Sequence, residues 1–193
     1  MNFKIINPII AALVFLSVGF VSTADAGEIR LHKTDPTKFA FVGEVVEGDA
    51  QMLRDFLVEN QTVTDIILYS GGGSVGEGIE MMQIINLRGL NTSIPKDFVC
   101  YSICSFMWLG GTERTVDEGG KLGVHQPFAP TEIATEMGAE AYAQDIIRTL
   151  AWMMYEVEIL ELDVDNWWWM MMMNTPAGDM HVFERDELEV FER

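Results

Sequence analysis

Residues 38–42 alternate weakly between polar or small and apolar side chains and stop at Gly43, the pattern of a short strand. Asp49 then precedes residues 50–58, where Met52, Leu53, Phe56 and Leu57 recur at helical spacing, which predicts an amphipathic helix capped by Asp49. Ile66, Ile67, Leu68 and Tyr69 form an unbroken apolar run that ends at Ser70-Gly71-Gly72-Gly73, as a buried strand ends at a turn with permissive backbone. Ile79, Met82, Ile85 and Leu87 mark a second helix closed by Gly89, and residues 91–94 a strand stopped by Pro95. Residues 100–109 are apolar and small up to Gly110-Gly111, which predicts a short buried helix with Ser102 near its start. Residues 121–125 read as one more strand, with His125 at its end. Strand, helix and strand in alternation predict an α/β domain.

Past Pro127 the pattern becomes helical throughout. Ile133, Met137, Tyr142, Ile146, Ile147, Leu150, Met154 and Val157 recur at helical intervals and predict one or two helices over residues 131–161. Residues 167–173, three tryptophans followed by four methionines, are apolar on every side. Such a segment is either a buried helix or a contact surface for a second copy or a substrate, because Trp and Met favour adaptable contacts.

The amino terminus carries a different signal. Residues 9–21 are almost wholly apolar, one lysine precedes them, and Ala24-Asp25-Ala26 stands before Gly27, the features of a secretory signal peptide over residues 1–26. A membrane anchor is the alternative reading, but the run is well short of the ~20 residues that cross a bilayer. Cleavage after Ala26 leaves 193 − 26 = 167 residues, one domain over residues 27–193, in the periplasm or outside the cell. The net charge of −18 survives cleavage, since one lysine and one aspartate leave together. So acidic a chain repels nucleic acid and anionic lipid. Cys100 and Cys104 are the only cysteines, and in an exported protein a pair reads first as a disulfide, here one that bridges Ser102. Two buried free thiols are the alternative; two thiols without a neighbouring histidine make a poor metal site.

The chemistry gathers in residues 68–127. Glycines at 71–73 let backbone N–H groups approach a ligand. Ser102 stands beside the free N–H donors of a helix start, and His125 closes a strand; together they supply a nucleophile, a base and an oxyanion hole. These segments resemble, in order, three motifs of the Clp protease proteolytic subunit. SGGGSVGEG is similar to its SPGGSVxxG turn, CYSICS stands where it carries its serine in AASMG, and GVHQP resembles its IHQP motif. The resemblance covers roughly residues 38–127. It implies a Clp/crotonase fold of stacked ββα units with a C-terminal helical handle region that joins subunits into a homo-oligomer. It also implies a serine peptidase acting on peptide or protein substrates without metal or other cofactor. Ser102 would attack, His125 would take its proton, and the N–H groups of Gly72 and Ile103 would hold the oxyanion.

The third catalytic position departs from that family. Aligning residues 183–188 on its last motif puts the expected carboxylate at residues 174–176, where the sequence is Asn-Thr-Pro. Asp179 is the nearest carboxylate, and Asn174 is the alternative, since asparagine orients the imidazole in papain-like enzymes. His32 and His181 stand outside any motif and read as surface or structural residues. The missing carboxylate keeps open a catalytically silent binding or assembly protein on the same fold. An acyl-CoA hydratase or isomerase shares the fold but needs no Ser-His pair and draws on a cytoplasmic coenzyme. Lys121 is the only lysine after Ser102, so a Ser-Lys mechanism would have to use it.

Overall fold

The computed structural model describes residues 26–192; the signal peptide expected over residues 1–26 lies, except for Ala26, outside the described residues. Two sheets organise the chain. β1 (Glu28–Leu31), β2 (Lys38–Val42), β3 (Asp65–Tyr69), β4 (Asn91–Ile94) and β6 (Arg114–Val116) form a five-stranded sheet in that order, while β5 (Val99–Tyr101), β7 (Lys121–Val124) and β8 (His181–Val182) form a three-stranded one. β1 runs antiparallel to β2, and β2, β3, β4 and β6 run parallel. Parallel neighbours need crossover connections, supplied first by α1 (Asp49–Glu59) and α2 (Val75–Leu87). From β4 to β7 the strands alternate between sheets. β4 and β5 are followed by α3 (Ile103–Leu109), then β6 and β7 by the C-terminal helices, so each ββα unit gives one strand to each sheet.

That alternation positions the candidate site. β5 and β7 are parallel neighbours in register Tyr101↔Gly123, so Ser102 and His125 leave the same end of the small sheet. The chain after β3 joins them: Ser70 N–H donates to the Val99 carbonyl at 2.9 Å and the Ser70 carbonyl accepts from Tyr101 N–H at 3.0 Å. The glycine turn, the serine and the histidine therefore converge from three parallel strands.

The core follows the sequence pattern with particular exceptions. Leu53, Leu57, Ile66, Leu68, Ile79, Met82 and Ile85 are buried, but Leu87, at the last turn of α2, is exposed. Asp49 does not cap α1. Gly48 holds the cap position with no side-chain hydrogen bond, and the buried Asp49 carboxylate instead accepts the N–H of Val46 at 2.8 Å. Tyr101 and Cys100 belong to β5 and not to the helix after them.

After β7 come α4 (Thr131–Met137), α5 (Ala139–Ile159), α6 (Asn166–Asn174) and α7 (Arg185–Leu188). Trp168 is fully buried, stacked on Phe183 and packed edge-on to Phe191. Buried Arg114 ties this end to the α/β core, donating from Nε to the Phe191 carbonyl at 3.0 Å and from Nη1 to the Leu109 carbonyl at 3.1 Å. The tryptophan-methionine run is buried on one side only, with Trp168 and Met172 in the core and Trp167, Met170 and Met173 exposed. Among the described residues no helix is long and apolar enough to cross a membrane.

Candidate active site

Ser102 is the residue at which β5 becomes α3. Its N–H still extends the sheet, donating to the Gly123 carbonyl at 3.0 Å, and then the chain turns with φ 55° and ψ −128°. A positive φ in a residue with a Cβ costs on the order of 1–3 kcal/mol and persists only where its surroundings enforce it. Three contacts enforce it here. The Ser102 carbonyl accepts both the N–H of Ser105 at 3.0 Å and its hydroxyl at 2.6 Å. Cys100 and Cys104 are joined by a buried disulfide that closes the loop around the serine. Gly72, at φ 101°, lies against it so closely that a Cβ there would stand 2.7 Å from Ser102 Cβ and 2.9 Å from the Tyr101 carbonyl.

The glycine turn is braced from both sides. Val45 N–H donates to the Gly72 carbonyl at 2.8 Å, and the Val45 carbonyl accepts Ser74 N–H at 2.7 Å. The N–H of Gly72 is itself engaged, donating to the buried Ser70 hydroxyl at 3.1 Å. This weakens the expected role of Gly72 as oxyanion donor, because a donor already satisfied inside the turn is not free for a substrate. The next N–H, that of exposed Gly73, has no acceptor among the described residues. Ile103 N–H, at the first position of α3, has no intrahelical acceptor either. Serine at the head of a glycine turn, bonding the N–H two residues on, is the signal in the sequence that marks this arrangement.

His125 is 8 % exposed and shares one cleft with Ser102, lined also by Ile103, Phe106, Met153 and Met172. The cleft measures about 10 Å³, room for roughly one water. Ser102 and His125 make no hydrogen bond to each other; catalytic hydrogen bonds are often long before substrate arrives. Burial pushes the imidazole pKa below its ordinary value, and the backbone of Ala177 opposes that shift in part. Burial thereby favours the neutral imidazole. Its Nδ1 is buried without a hydrogen-bond partner among the described residues.

The expected third residues do not meet that atom. Asp179 is exposed, and the Asn174 side chain donates to the Met170 carbonyl at 2.8 Å. The segment carrying them does pass the histidine, because the Thr175 carbonyl accepts the N–H of Gln126 at 3.0 Å and its side-chain amide at 3.3 Å. What approaches the ring is backbone, at Ala177, where no side-chain motif could have announced it. Of the other candidates, His32 accepts the Asp35 N–H at 3.1 Å on Nδ1, and His181 lies in β8 with Nε2 3.3 Å from Glu187. Lys121 begins β7, at the opposite end of the strand from His125, and does not line the cleft. Among the described residues no group of three or more His, Cys, Asp or Glu side chains stands together as metal ligands would.

No family model matches the sequence, and no curated protein does. Solved structures do. A point mutant of ClpP1 from Listeria monocytogenes superposes with a TM-score of 0.54 at 17 % identity, over 82 % of this chain and 88 % of that one. The two-sheet stack of ββα units with its C-terminal helices is therefore the ClpP fold.

Proposed function

We propose that the chain is an exported serine peptidase in which Ser102 is the nucleophile and His125 its general base. One observation carries the reading: Ser102 is held at a positive φ on a strand-to-helix elbow, in the same cleft as a buried histidine at the end of the parallel neighbour strand. The serine attacks a peptide carbonyl as His125 takes its proton, and the developing oxyanion is held by the N–H groups of Gly73 and Ile103. Such donors contribute about 2.7–4 kcal/mol each. With neither Asp179 nor Asn174 on Nδ1, the Ala177 backbone is the group left to orient the ring, so turnover is slower than in a complete triad. Met153 and Met172 must move before a peptide enters. Export with cleavage after Ala26 fits the disulfide, which an oxidising compartment preserves. The exposed Trp152, Tyr155, Met170 and Met173 of α5 and α6 are the surface for homo-oligomer formation.

A fluorophosphonate tests the nucleophile directly. The oxidised protein should be modified at Ser102, and both Ser102→Ala and His125→Ala should abolish labelling with the fold intact, since the pair acts as a unit. Lack of reaction in the folded, oxidised protein would support the second reading, a silent binding protein, which the unpartnered Nδ1 favours.

A further inference from the structure

Gly27 is packed closely against the side chains of Phe41 and Asp49. A Cβ there would stand 2.3 Å from the Phe41 ring and 2.6 Å from Asp49 Oδ2. The Gly27 nitrogen is bonded to that same Cα, so it lies within about 5 Å of the carboxylate oxygen by bond geometry alone. β1 fixes it there, pairing with β2 from the register Glu28↔Val42 onward.

Asp49 is an unusual carboxylate for its setting. It is 4 % exposed, and among the described residues no lysine, arginine or histidine makes an ion pair with it. Its neighbour in charge is another acid, Glu77, whose carboxylate accepts the N–H of Ala50 at 2.9 Å. Burial first, and Glu77 after it, push the Asp49 pKa above its ordinary value, against the stabilising N–H of Val46. A buried acid beside a second acid lacks a counter-charge.

We propose that Asp49 receives the α-ammonium of Gly27 that is set free when the Ala26–Gly27 peptide bond is hydrolysed, and that this ion pair makes Asp49 a positioning residue for the oxyanion turn. The inference rests on the export reading above, which supplies a leader-cleaving peptidase. In that step water adds its hydroxyl to the Ala26 carbonyl carbon as the C–N bond breaks. Gly27 leaves as an amine that takes up a proton at neutral pH, and Ala26 leaves as a carboxylate. The new charge appears beside Asp49, whose Oδ2 already holds Val46 N–H. Val45, the preceding residue, bonds Gly72 and Ser74 on either side of the Gly73 N–H. The chain of contacts from Gly27 to the turn is therefore Asp49, Val46, Val45 and Gly73. Before cleavage the same nitrogen is an uncharged amide, and Ala26 lines a groove together with Ser70 and Gly71.

The full chain is expressed with its leader and the exported protein is sequenced from its amino terminus. The α-amine pKa is then measured from the pH dependence of its reductive dimethylation, in the unmutated protein and in Asp49→Asn. Gly27 should be the first residue, with an α-amine pKa about one unit or more above the ordinary ~7.7–8.0 and about tenfold slower modification at pH 7.5 than in the variant. Fluorophosphonate labelling of Ser102 should fall at least tenfold in Asp49→Asn, and in unmutated protein whose α-amine has been acetylated. An intact Met1 overturns the export reading and this inference together, whereas a cleaved terminus at a residue other than Gly27 overturns this inference alone. Gly27 at the terminus with an ordinary α-amine pKa in the unmutated protein overturns this inference alone, and needs no folded variant to do so.

Discussion

Two adjacent glycines offer a sharp test of how Ser102 is held. Gly72→Ala places a methyl group 2.7 Å from Ser102 Cβ, 2.9 Å from the Tyr101 carbonyl and 3.2 Å from Ser102 Oγ, at a φ of 101°. The positive φ costs about 1–2 kcal/mol for a residue with a Cβ. The overlap is with backbone and with a Cβ, neither of which can swing aside, and overpacking of this kind costs about 1–3 kcal/mol more. The sum, roughly 2–5 kcal/mol, is a large part of an ordinary domain stability of about 5–15 kcal/mol. With a urea slope of about 2 kcal/mol per molar, the unfolding midpoint should fall by roughly 1–2.5 M. At Gly71 a Cβ meets nothing within 4 Å, so Gly71→Ala should leave the midpoint within about 0.3 M. The serine should suffer beyond stability, because the methyl group displaces its Oγ, and a 1 Å shift at a reacting atom costs about 100-fold. Urea titration followed by tryptophan fluorescence, with fluorophosphonate labelling rates taken well below the midpoint, reads both effects. Equal midpoints and equal labelling in Gly71→Ala and Gly72→Ala would refute the close approach of the turn to Ser102.

Burial holds His125 neutral, so labelling of Ser102 should rise through an apparent pKa below 6.5 and be flat above pH 7; a midpoint above 6.5 would contradict it. The same shift has a stability consequence of defined sign. Between the depressed folded pKa and 6.5 the unfolded chain binds the extra proton, so this contribution is present above pH 6.5 and is lost as pH falls through the folded value, which urea midpoints in unmutated protein and His125→Gln compare. Maleimide should label neither cysteine until a reductant is added, and reduction should lower stability by about 2 kcal/mol for so short a loop while slowing Ser102 labelling; labelling without reductant would show free thiols. Met172→Ala should open the cleft, speeding reaction with a bulky peptidyl probe relative to a small fluorophosphonate while costing about 2–5 kcal/mol of stability, and an unchanged ratio would mean that Met172 is not the obstruction. Asp179→Ala and Asn174→Ala should each label within a few-fold of the unmutated protein, whereas a large loss in either would return it to the histidine.

The sequence by itself determined the α/β class, the main parallel strands and their helices, and the three segments that meet at the site. It could do so because each depends on local chemistry: the unbroken run at residues 66–69, the helical spacing of Ile79, Met82 and Ile85, and the glycines that stop them. It also paired Cys100 with Cys104, since a spacing of four across an elbow leaves the two sulfur atoms in reach. The short strands β1, β5, β6 and β8 were not legible; each is held as a strand only by the neighbours it pairs with. That the Gly72 N–H is held inside the turn while that of Gly73 is not was equally beyond the sequence, as it turns on a single hydrogen bond from Gly72 to Ser70. So was the group beside His125. A backbone carbonyl has no residue identity, and only the path of the chain after α6, fixed by the Thr175–Gln126 hydrogen bonds, brings Ala177 to the ring and leaves Asp179 in solvent. The half-burial of α6 was decided in the same way: seven apolar residues in a row mark no face, and Trp168 and Met172 point inward because the aromatic ring of Phe183 and the cleft beneath α5 are there to receive them.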